Sequence, residues 1–335
     1  MASYRPTVLA RIPIHLLEQA ALLGVDRRHL VAEAGLSPQE LKDPDSRVAT
    51  GKFWKLWEAL IQRVPDTALG LKMAEAAQSP ACFGLVGYTL YYSRTLGAAL
   101  HRLARYSRIV SETIQITVEL RSGRCRVRLE SDPQFELLRH PIDSRLGNIL
   151  SAVRTLSGKS LAPLEVDFPY PKPPDASAHR RFFQAPLHFG RRAAALWLRP
   201  ADLDLPVVHS DPILVRYLDR LAEEQLKALG SGTLTERVGR TLWSELSGGM
   251  PPLGRVAGML GVSPRSLQRH LRVEGKPYRD LQEEFRREMA ARLMRQRGLA
   301  VYEIAFLLGY TDPSSFHRAF RRWYGTSPRA YRRAT

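Results

Sequence analysis

The chain has 335 residues, of which 44% are hydrophobic and 25% charged, and its net charge is +17. This length suits roughly two domains of ~150 residues, and no apolar run approaches the ~20 residues that a membrane span needs. Only two cysteines occur, which excludes a disulfide framework and a multi-cysteine zinc site, and the N-terminus lacks the apolar stretch of a signal peptide. We therefore expect a cytoplasmic protein without a metal site or a cofactor.

The first two-thirds of the chain mix two periods of hydrophobicity. Apolar residues recur every three or four positions across residues 13–110, which predicts mostly helix. Residues 113–120 and 125–131 then alternate apolar and polar side chains around a short turn, which predicts a β-hairpin. A helix around Ser144–Leu156, strands at 164–168 and 194–200, and a short helix near His179 follow. We therefore predict an α+β N-terminal domain, with helices plus a small sheet.

Some side chains in this part have two interpretations. Tyr88, Tyr91 and Tyr92, with Arg94 nearby, would line an effector pocket or form the aromatic face of a core helix. Cys82 is interpreted as a small buried hydrophobe, with a redox sensor as the alternative. The nine histidines show no metal-ligand spacing, and we interpret His140 and His179 as surface or cap residues.

Residues 210–229 predict a helix with Pro212 in its first turn, where the missing N–H costs nothing. Four leucines fall at or near a narrow seam of this helix: Leu214, Leu218, Leu221 and Leu229. The seam would serve either packing within the chain or a contact between two chains, and both interpretations remain open. Glycines at 230 and 232 end the helix, so the boundary between two domains is placed here.

The segment that follows is strongly basic. From Leu234 to the end, the chain carries 19 Lys and Arg against 9 Asp and Glu, a net charge of +10, whereas the first 233 residues carry +7. A basic segment favours a polyanionic partner, nucleic acid before an acidic membrane surface. A solvated basic surface would have the same composition, so charge alone does not decide the partner.

An internal repeat lies within this basic segment. Residues 256–271 align with residues 304–320: Ala257 and Gly261 recur 48 residues later as Ala305 and Gly309. After a one-residue insertion in the second turn, the two sequences match again at a spacing of 49 residues. Two copies of one supersecondary unit are therefore present.

Each copy predicts a helix-turn-helix motif. The alanine lets a second helix cross closely, and the glycine four residues later supplies the positive φ that often ends a helix. The next helix begins with Ser263-Pro264 or Asp312-Pro313, which is an N-cap followed by proline at the first helical position. Residues 278–294 between the copies predict an amphipathic helix that would hold the two motifs about one DNA turn (~34 Å) apart.

The second helix of each motif has a polar outer face that suits a DNA major groove, which admits one α-helix. We predict that these outer faces bind DNA through Arg265, Ser266, Gln268, Arg269 and Arg272 in the first copy and Ser314, Ser315, His317, Arg318, Arg321 and Arg322 in the second. One such motif is a weak signal, because any compact helical hairpin can imitate it. Two in tandem within a basic segment strongly favour DNA binding.

The run IAFLLGYTDPSSFHRAFRRWYGTSPRAYRR, residues 304–333, resembles the C-terminal signature of AraC/XylS-type transcription regulators. The resemblance implies an all-α DNA-binding domain of about 100 residues with two tandem helix-turn-helix motifs, here residues 234–333. Ser315 stands where an aromatic residue is common, which we interpret as tolerated variation.

The front of the chain resembles the arabinose-binding-like domain of the subgroup with ornithine-utilisation and virulence regulators. The stretches that carry this resemblance include PDTALGLKMA and FGLVGYTLYYSRTLGAALHRLARYSRIV. That resemblance implies effector sensing, dimerisation or both, and does not imply that arabinose is bound.

The sequence is therefore expected to be a bacterial transcription regulator with three parts: 1–209 for sensing and dimerisation, 210–233 as connecting helix and linker, and 234–335 for DNA binding. The expected partners are double-stranded operator or promoter DNA and a second copy of the chain, with a small-molecule effector and RNA polymerase as further candidates and no membrane. The alternative is a dimeric DNA-binding regulator without a small-molecule effector, controlled by protein contacts or abundance.

An enzyme is not expected, because no Ser–His–Asp order, phosphate-binding glycine loop or paired-carboxylate motif is present. Alkylation-repair methyltransferases with AraC-type domains need clustered zinc cysteines, which two isolated cysteines cannot supply.

Overall fold

The computed structural model describes residues 6–66, 68–76, 79–131, 139–230, 234–245, 250–295 and 299–334. These residues form two compact units, one up to Leu229 and one from Gly230 onward. No helix in the described ranges combines the length and the apolarity that crossing a membrane requires.

The first unit opens with a helical layer. Its elements are β1 (Thr7–Leu9), α1 (Arg11–Leu22), α2 (Arg27–Ala34), β2 (Arg47–Ala49), α3 (Thr50–Arg63) and α4 (Leu69–Ala76). Strands β1 and β2 pair antiparallel. Helix α3 buries Phe53, Trp54, Trp57 and Leu60, because the 3–4 spacing of these residues puts them on one face. This face packs into a hydrophobic cluster with residues of α1, α2 and α4.

A five-stranded sheet forms the second layer of this unit. The elements that follow α4 are α5 (Gly84–Tyr91), α6 (Leu96–Val110), β3 (Ile114–Arg121), β4 (Arg124–Ser131), α7 (Arg139–Ser157), β5 (Glu165–Asp167), α8 (Ser177–Phe183), β6 (Leu187–His188), β7 (Ala194–Leu198), α9 (Pro200–Leu203) and α10 (Pro212–Gly230). The strand order is β3-β4-β7-β5-β6, with β5 and β6 parallel and the other pairs antiparallel. The predicted α+β architecture, including the β3–β4 hairpin, is confirmed, whereas β1, β2 and β6 were not predicted.

Helix α7 crosses α4 at very short range, and two glycines permit the approach. A Cβ on Gly70 would lie 2.2 Å from the carbonyl oxygen of His140, and one on Gly147 would lie 2.5 Å from the Cβ of Ala74. Both distances are far inside van der Waals contact, so a side chain at either position would force the helices apart.

The interpretation of His179 as a surface or cap residue was wrong. Its side chain is 1% exposed, and its Nε2 lies 3.1 Å from Oδ2 of Asp143, which is itself fully buried. The Tyr170 hydroxyl donates to the other oxygen of the same carboxylate, and burial beside that carboxylate raises the pKa of Tyr170. These three polar groups pair with one another in the core, as buried polar groups must. The His140 side chain is half-buried in the first turn of α7.

Helix α10 packs against α6 of the first unit. The Arg102 guanidinium donates to Asp219 at 2.8 Å, the Tyr106 hydroxyl donates to Glu223 at 3.0 Å, and Arg105 pairs with Glu223. Val215 and Ala222 are buried against the unit. Three of the seam leucines, 214, 218 and 229, are half-buried on this inner side, whereas Leu221 is 50% exposed. The helix therefore belongs to the first unit, while the domain limits given above stay a prediction.

The second unit has only helices among its described regular elements, which confirms the predicted all-α domain. They are α11 (Leu234–Ser244), α12 (Leu253–Met259), α13 (Pro264–Val273), α14 (Tyr278–Met294), α15 (Val301–Leu307), α16 (Pro313–Tyr324) and α17 (Pro328–Ala334). Helices α12–α13 and α15–α16 form the two predicted helix-turn-helix motifs. Leu267, Leu271, Phe316 and Phe320 are fully buried and meet Met289 of α14 in one core.

Candidate nucleic-acid interface

The turn has the same backbone geometry in both motifs. Gly261 has φ +69° and Gly309 φ +77°, a left-handed conformation that L side chains rarely adopt. The next N–H in each copy donates five residues back, from Val262 to the Ala257 carbonyl and from Tyr310 to the Ala305 carbonyl, both at 3.0 Å. This is the Schellman pattern that ends a helix at glycine, so the predicted role of both glycines is confirmed.

The second helix of each motif begins in the same way. The Ser263 hydroxyl accepts a hydrogen bond from the Ser266 N–H at 3.1 Å, and the Asp312 carboxylate accepts one from the Ser315 N–H at 2.8 Å. Hydrogen bonds from Ser315 hold the pKa of Asp312 below its usual value. A proline follows each cap at the first helical position. These local signals fix where α13 and α16 start.

The repeat extends to a helix that supports each motif. Arg237 of α11 donates to the Leu260 carbonyl at 3.3 Å, and Arg286 of α14 donates to the Leu308 carbonyl at 3.0 Å. Each carbonyl lies at the end of the first helix of a motif, where backbone acceptors have no partner within the helix. The second unit is therefore two three-helix repeats, α11–α13 and α14–α16. Arg237 and Arg286 are 49 residues apart, so the spacing of the repeat was the signal that could have revealed this.

The outer face of α13 is open to solvent and basic. Arg265, Gln268, Arg269 and Arg272 are exposed, and Ser266 is half-buried with its Oγ 3.4 Å from Nδ1 of His270. Among the residues that the structure describes, no carboxylate oxygen lies within 4 Å of these arginine side chains. Their guanidinium groups are therefore left for a partner.

The outer face of α16 is also basic, but it is partly engaged within the chain. Ser314, Arg318, Arg321 and Arg322 are exposed, and Ser315 and His317 are half-buried. Arg318 donates to the Ser315 hydroxyl at 3.0 Å. Arg322 forms a salt bridge with Glu283 of α14, and the Trp323 indole N–H donates to the same carboxylate at 3.1 Å. These donors, with Trp323 contributing most, hold the pKa of Glu283 below its usual value.

A second basic surface near α16 was missed by sequence reasoning. An open groove is lined by residues of α15, α16 and α17, including Tyr302, His317, Arg329 and Arg333. Arg332 lies there too, but it donates to the Met294 carbonyl at 3.2 Å and so also holds α17 to α14. The arginine run near the C-terminus was a signal that could have found this groove.

The tyrosines of the first unit make aromatic contacts. Tyr91 stacks on His209 with ring centroids 4.5 Å apart and meets Tyr92 edge-on. Tyr88 is 38% exposed, and Arg94 is exposed. Cys82 is half-buried, and burial raises the pKa of its thiol, so the thiolate that a redox sensor needs is disfavoured. Within the described ranges, no group of three His, Cys, Asp or Glu side chains is arranged to hold a metal ion.

A model of the arabinose-binding domain of AraC transcription regulators matches residues 24–207, and a model of a helix-turn-helix domain matches residues 256–334. The chain belongs to the AraC family of transcription regulators. It is 31% identical to the ornithine utilization regulator of Pseudomonas aeruginosa over 322 residues, which are 95% of this chain and 94% of that protein.

Two further similarities concern other members. The chain is 28% identical to the transcriptional regulator VirS of Mycobacterium tuberculosis, over 92% of each protein. The crystal structure of the transcriptional regulator CdpR from Pseudomonas aeruginosa aligns with a TM-score of 0.45 and 22% identity, over 91% of this chain and 96% of that one. The two family models and the ornithine utilization regulator make this protein a DNA-binding transcription regulator of the AraC family.

Proposed function

We propose that this AraC-family protein binds operator or promoter DNA sequence-specifically, with α13 and α16 lying in two successive major grooves. One observation carries the proposal: both helices bury an apolar face completely and turn a basic face to solvent. Both helices begin at the same kind of N-cap and follow the same kind of turn. Their exposed faces are therefore positioned in equivalent ways within the two motifs. A major groove accepts one helix, and arginine and glutamine side chains recognise base edges there.

The two helices contribute unequally in this proposal. On α13 the three arginines have no carboxylate partner among the described residues, so Arg269 and Gln268 are free to contact bases. On α16 the Arg322 guanidinium is already paired with Glu283, and Arg318 contacts Ser315. We therefore assign most of the base recognition to α13 and expect α16 to contact the phosphate backbone, with Arg321 as its main free cation.

A homodimer is part of the proposed function. The outer face of α10 exposes Ile213, Tyr217 and Leu221, which follow one another at intervals of four residues and so form one stripe. A second copy of the chain is the partner we propose for this stripe. Dimerisation would bring four recognition helices to two half-sites of an operator.

We also propose that a small molecule bound to the first unit modulates DNA binding. The matched family model covers residues 24–207, most of this unit, and describes a ligand-binding domain. A ligand shifts the DNA affinity only through a difference in its own affinity for the DNA-bound and free states.

The groove assignment is tested by selecting a binding sequence from random DNA and then mapping the protected bases of the complex. The proposal predicts two protected major-groove patches per monomer, separated by about 10 base pairs on one side of the duplex. Protection of a single patch per monomer would contradict it. Protection without a selected sequence would show binding without sequence specificity and would also count against it.

A further inference from the structure

A cavity of about 100 Å³ lies inside the first unit, where residues of α1, α3 and α7 meet. Its wall is mostly apolar and includes Ile12, Leu16, Phe53, Trp57 and Met73. A cavity needs only about 10–15 Å³ of such volume to hold one water molecule, so this one has room for a small organic molecule. The volume suits a compact organic molecule rather than a sugar polymer, a peptide or a long lipid chain.

The cavity lies at the boundary between the two hydrophobic clusters of the unit. Leu16, Phe53 and Trp57 belong to the cluster of the first helices, whereas Val110 and Ile114 pack against the cluster of the sheet. Ile12 packs against both clusters. An occupant would therefore contact both layers at once and stabilise one arrangement of them over any other.

The polar part of the wall is positively biased. Arg145 and His15 line the cavity, and no Asp or Glu is among the described residues that line it. Arg145 lies over the Trp54 ring, 5.0 Å from its centroid, which holds the guanidinium against α3. Burial lowers the pKa of His15, so its imidazole is neutral near pH 7 and acts as a hydrogen-bonding group.

Two buried polar atoms of this wall have no hydrogen-bond partner within the described part of the chain: His15 Nε2 and Asn148 Oδ1. Buried polar groups in folded proteins are almost always paired, so such atoms call for a partner that is not part of the chain. A half-turn of the Asn148 amide exchanges the positions of its oxygen and its NH₂ group. An anionic occupant would then accept a hydrogen bond from that NH₂ group.

We propose that this cavity binds a compact, mostly apolar monocarboxylate. Its carboxylate lies toward Arg145, Asn148 and His15, and its hydrocarbon part lies against Phe53 and Trp57. An amine of the same shape would face Arg145 with a like charge, and no carboxylate is among the described residues that line the cavity. A neutral amide would lose the charge-assisted hydrogen bond that an arginine gives. This inference rests on the proposed modulation of the first unit by a small molecule.

The test uses the full chain and three probes of similar shape and different charge: cyclohexanecarboxylate, cyclohexanecarboxamide and cyclohexylmethylamine. Thermal unfolding and calorimetric titration are measured at pH 7 and constant ionic strength. A ligand that binds the folded state raises the melting temperature by mass action. We expect a rise of about 3 °C or more with saturating carboxylate and less than about a third of that with the amide or the amine. Equal shifts with all three probes, or no shift with this carboxylate, hexanoate or benzoate, would overturn the inference.

Variants of the wall separate the site from a general attraction to a basic protein. Arg145→Gln removes the cation. Asn148→Asp puts a carboxylate on the wall at position 148. Each variant should weaken carboxylate binding at least tenfold. Arg28→Gln removes one exposed charge of the same unit that does not line the cavity, and it should bind like the wild type. If Arg145→Gln does not fold, Asn148→Asp carries the comparison. Wild-type affinity in the folded wall variants would refute the assignment.

The same samples are titrated with the selected operator in the presence and absence of the carboxylate. Binding of the probe with a changed operator affinity supports both the site and the modulation. Binding of the probe with an unchanged operator affinity supports the site and refutes the modulation. A normal operator complex without probe binding refutes the site and leaves DNA recognition standing.

Discussion

The Arg286 guanidinium of α14 donates a hydrogen bond to the Leu308 carbonyl at 3.0 Å, one repeat beyond the corresponding bond in the first motif, where Arg237 donates to Leu260. The same guanidinium lies 5.4 Å from the centroid of the Tyr310 ring, so it holds both the end of α15 and the turn that follows. The first helix of each motif is thus attached at its C-terminal end to a supporting helix through an arginine side chain.

Replacing Arg286 with alanine should destabilise the second unit. The Leu308 carbonyl would lose a charged donor, and a hydrogen bond to a charged group contributes about 1.5–3 kcal/mol. Denaturant unfolding of the full chain measures the loss in the transition of this unit. Arg279→Ala removes an exposed arginine from the same helix and serves as the matched control. A loss no larger than that of the control would show that the Arg286 bond contributes nothing.

Replacing Glu283 with glutamine should strengthen DNA binding to all sequences alike. Glutamine keeps an oxygen for the Trp323 indole but releases Arg322 from its salt bridge, so one more cation can reach a phosphate. The salt dependence should become steeper by about 0.9 in the slope of log K against log salt. Asp280→Asn changes the charge by the same amount on the same helix and leaves the Arg322 pair intact. An equal effect of both variants would mean that charge alone, and not the release of Arg322, is responsible.

Replacing Tyr217 with aspartate should disrupt the proposed homodimer. The variant puts a charge in the middle of the exposed stripe formed with Ile213 and Leu221. Sedimentation velocity at tens of micromolar should show a dimer for the wild type and a monomer for this variant. Arg216→Gln changes the net charge by the same amount at an exposed position of α10 outside the stripe and should remain dimeric. A monomeric wild type at this concentration would exclude the proposed dimer.

Stability should fall as the pH falls from 7 to 5, and His140 should be responsible for part of that fall. Burial, with a smaller contribution from the Arg139 charge, lowers the pKa of His140 to about 4. The unfolded state, with a histidine pKa of ~6.5, then binds more protons than the folded state over this range, so acid favours unfolding. The expected loss is about 1–2 kcal/mol between pH 7 and pH 5. Urea unfolding at both pH values should show this loss in the wild type and a smaller one in His140→Gln. An unchanged pH dependence in the variant would contradict the assignment.

The DNA-binding unit could be predicted from the sequence because its signals are local. A glycine, a cap and a proline within five residues specify each turn, and the same pattern occurs twice in the repeat. The hydrogen bonds of Arg237 and Arg286 reach carbonyls more than 20 positions away in the chain. These bonds were not predicted, because the repeat was recognised only within the two motifs. The pairing of Arg322 with Glu283 spans 39 residues and could not be anticipated from charge pattern alone.

The first unit was predictable in outline but not in its interior. The hairpin β3–β4 follows from alternation, whereas β6 has two residues and owes its existence to pairing with β5. His179 was misplaced because its burial depends on Asp143, 36 residues earlier in the chain. The cavity escaped notice for the same reason: its wall draws on residues from Val8 to Asn148, and no short window of sequence contains it.

The central claim is that the outer face of α13 recognises bases, and Arg269 tests it most directly. The measurement is the affinity of Arg269→Ala, Arg321→Ala and Arg28→Ala for the selected operator and for a scrambled duplex, across a salt series. For Arg269→Ala we expect a loss of about 1–3 kcal/mol on the operator and a much smaller loss on the scrambled duplex. Arg321→Ala should weaken both duplexes alike and reduce the salt slope by about one, and Arg28→Ala should change neither. If folded Arg269→Ala loses affinity equally for both duplexes, α13 does not recognise bases through this face.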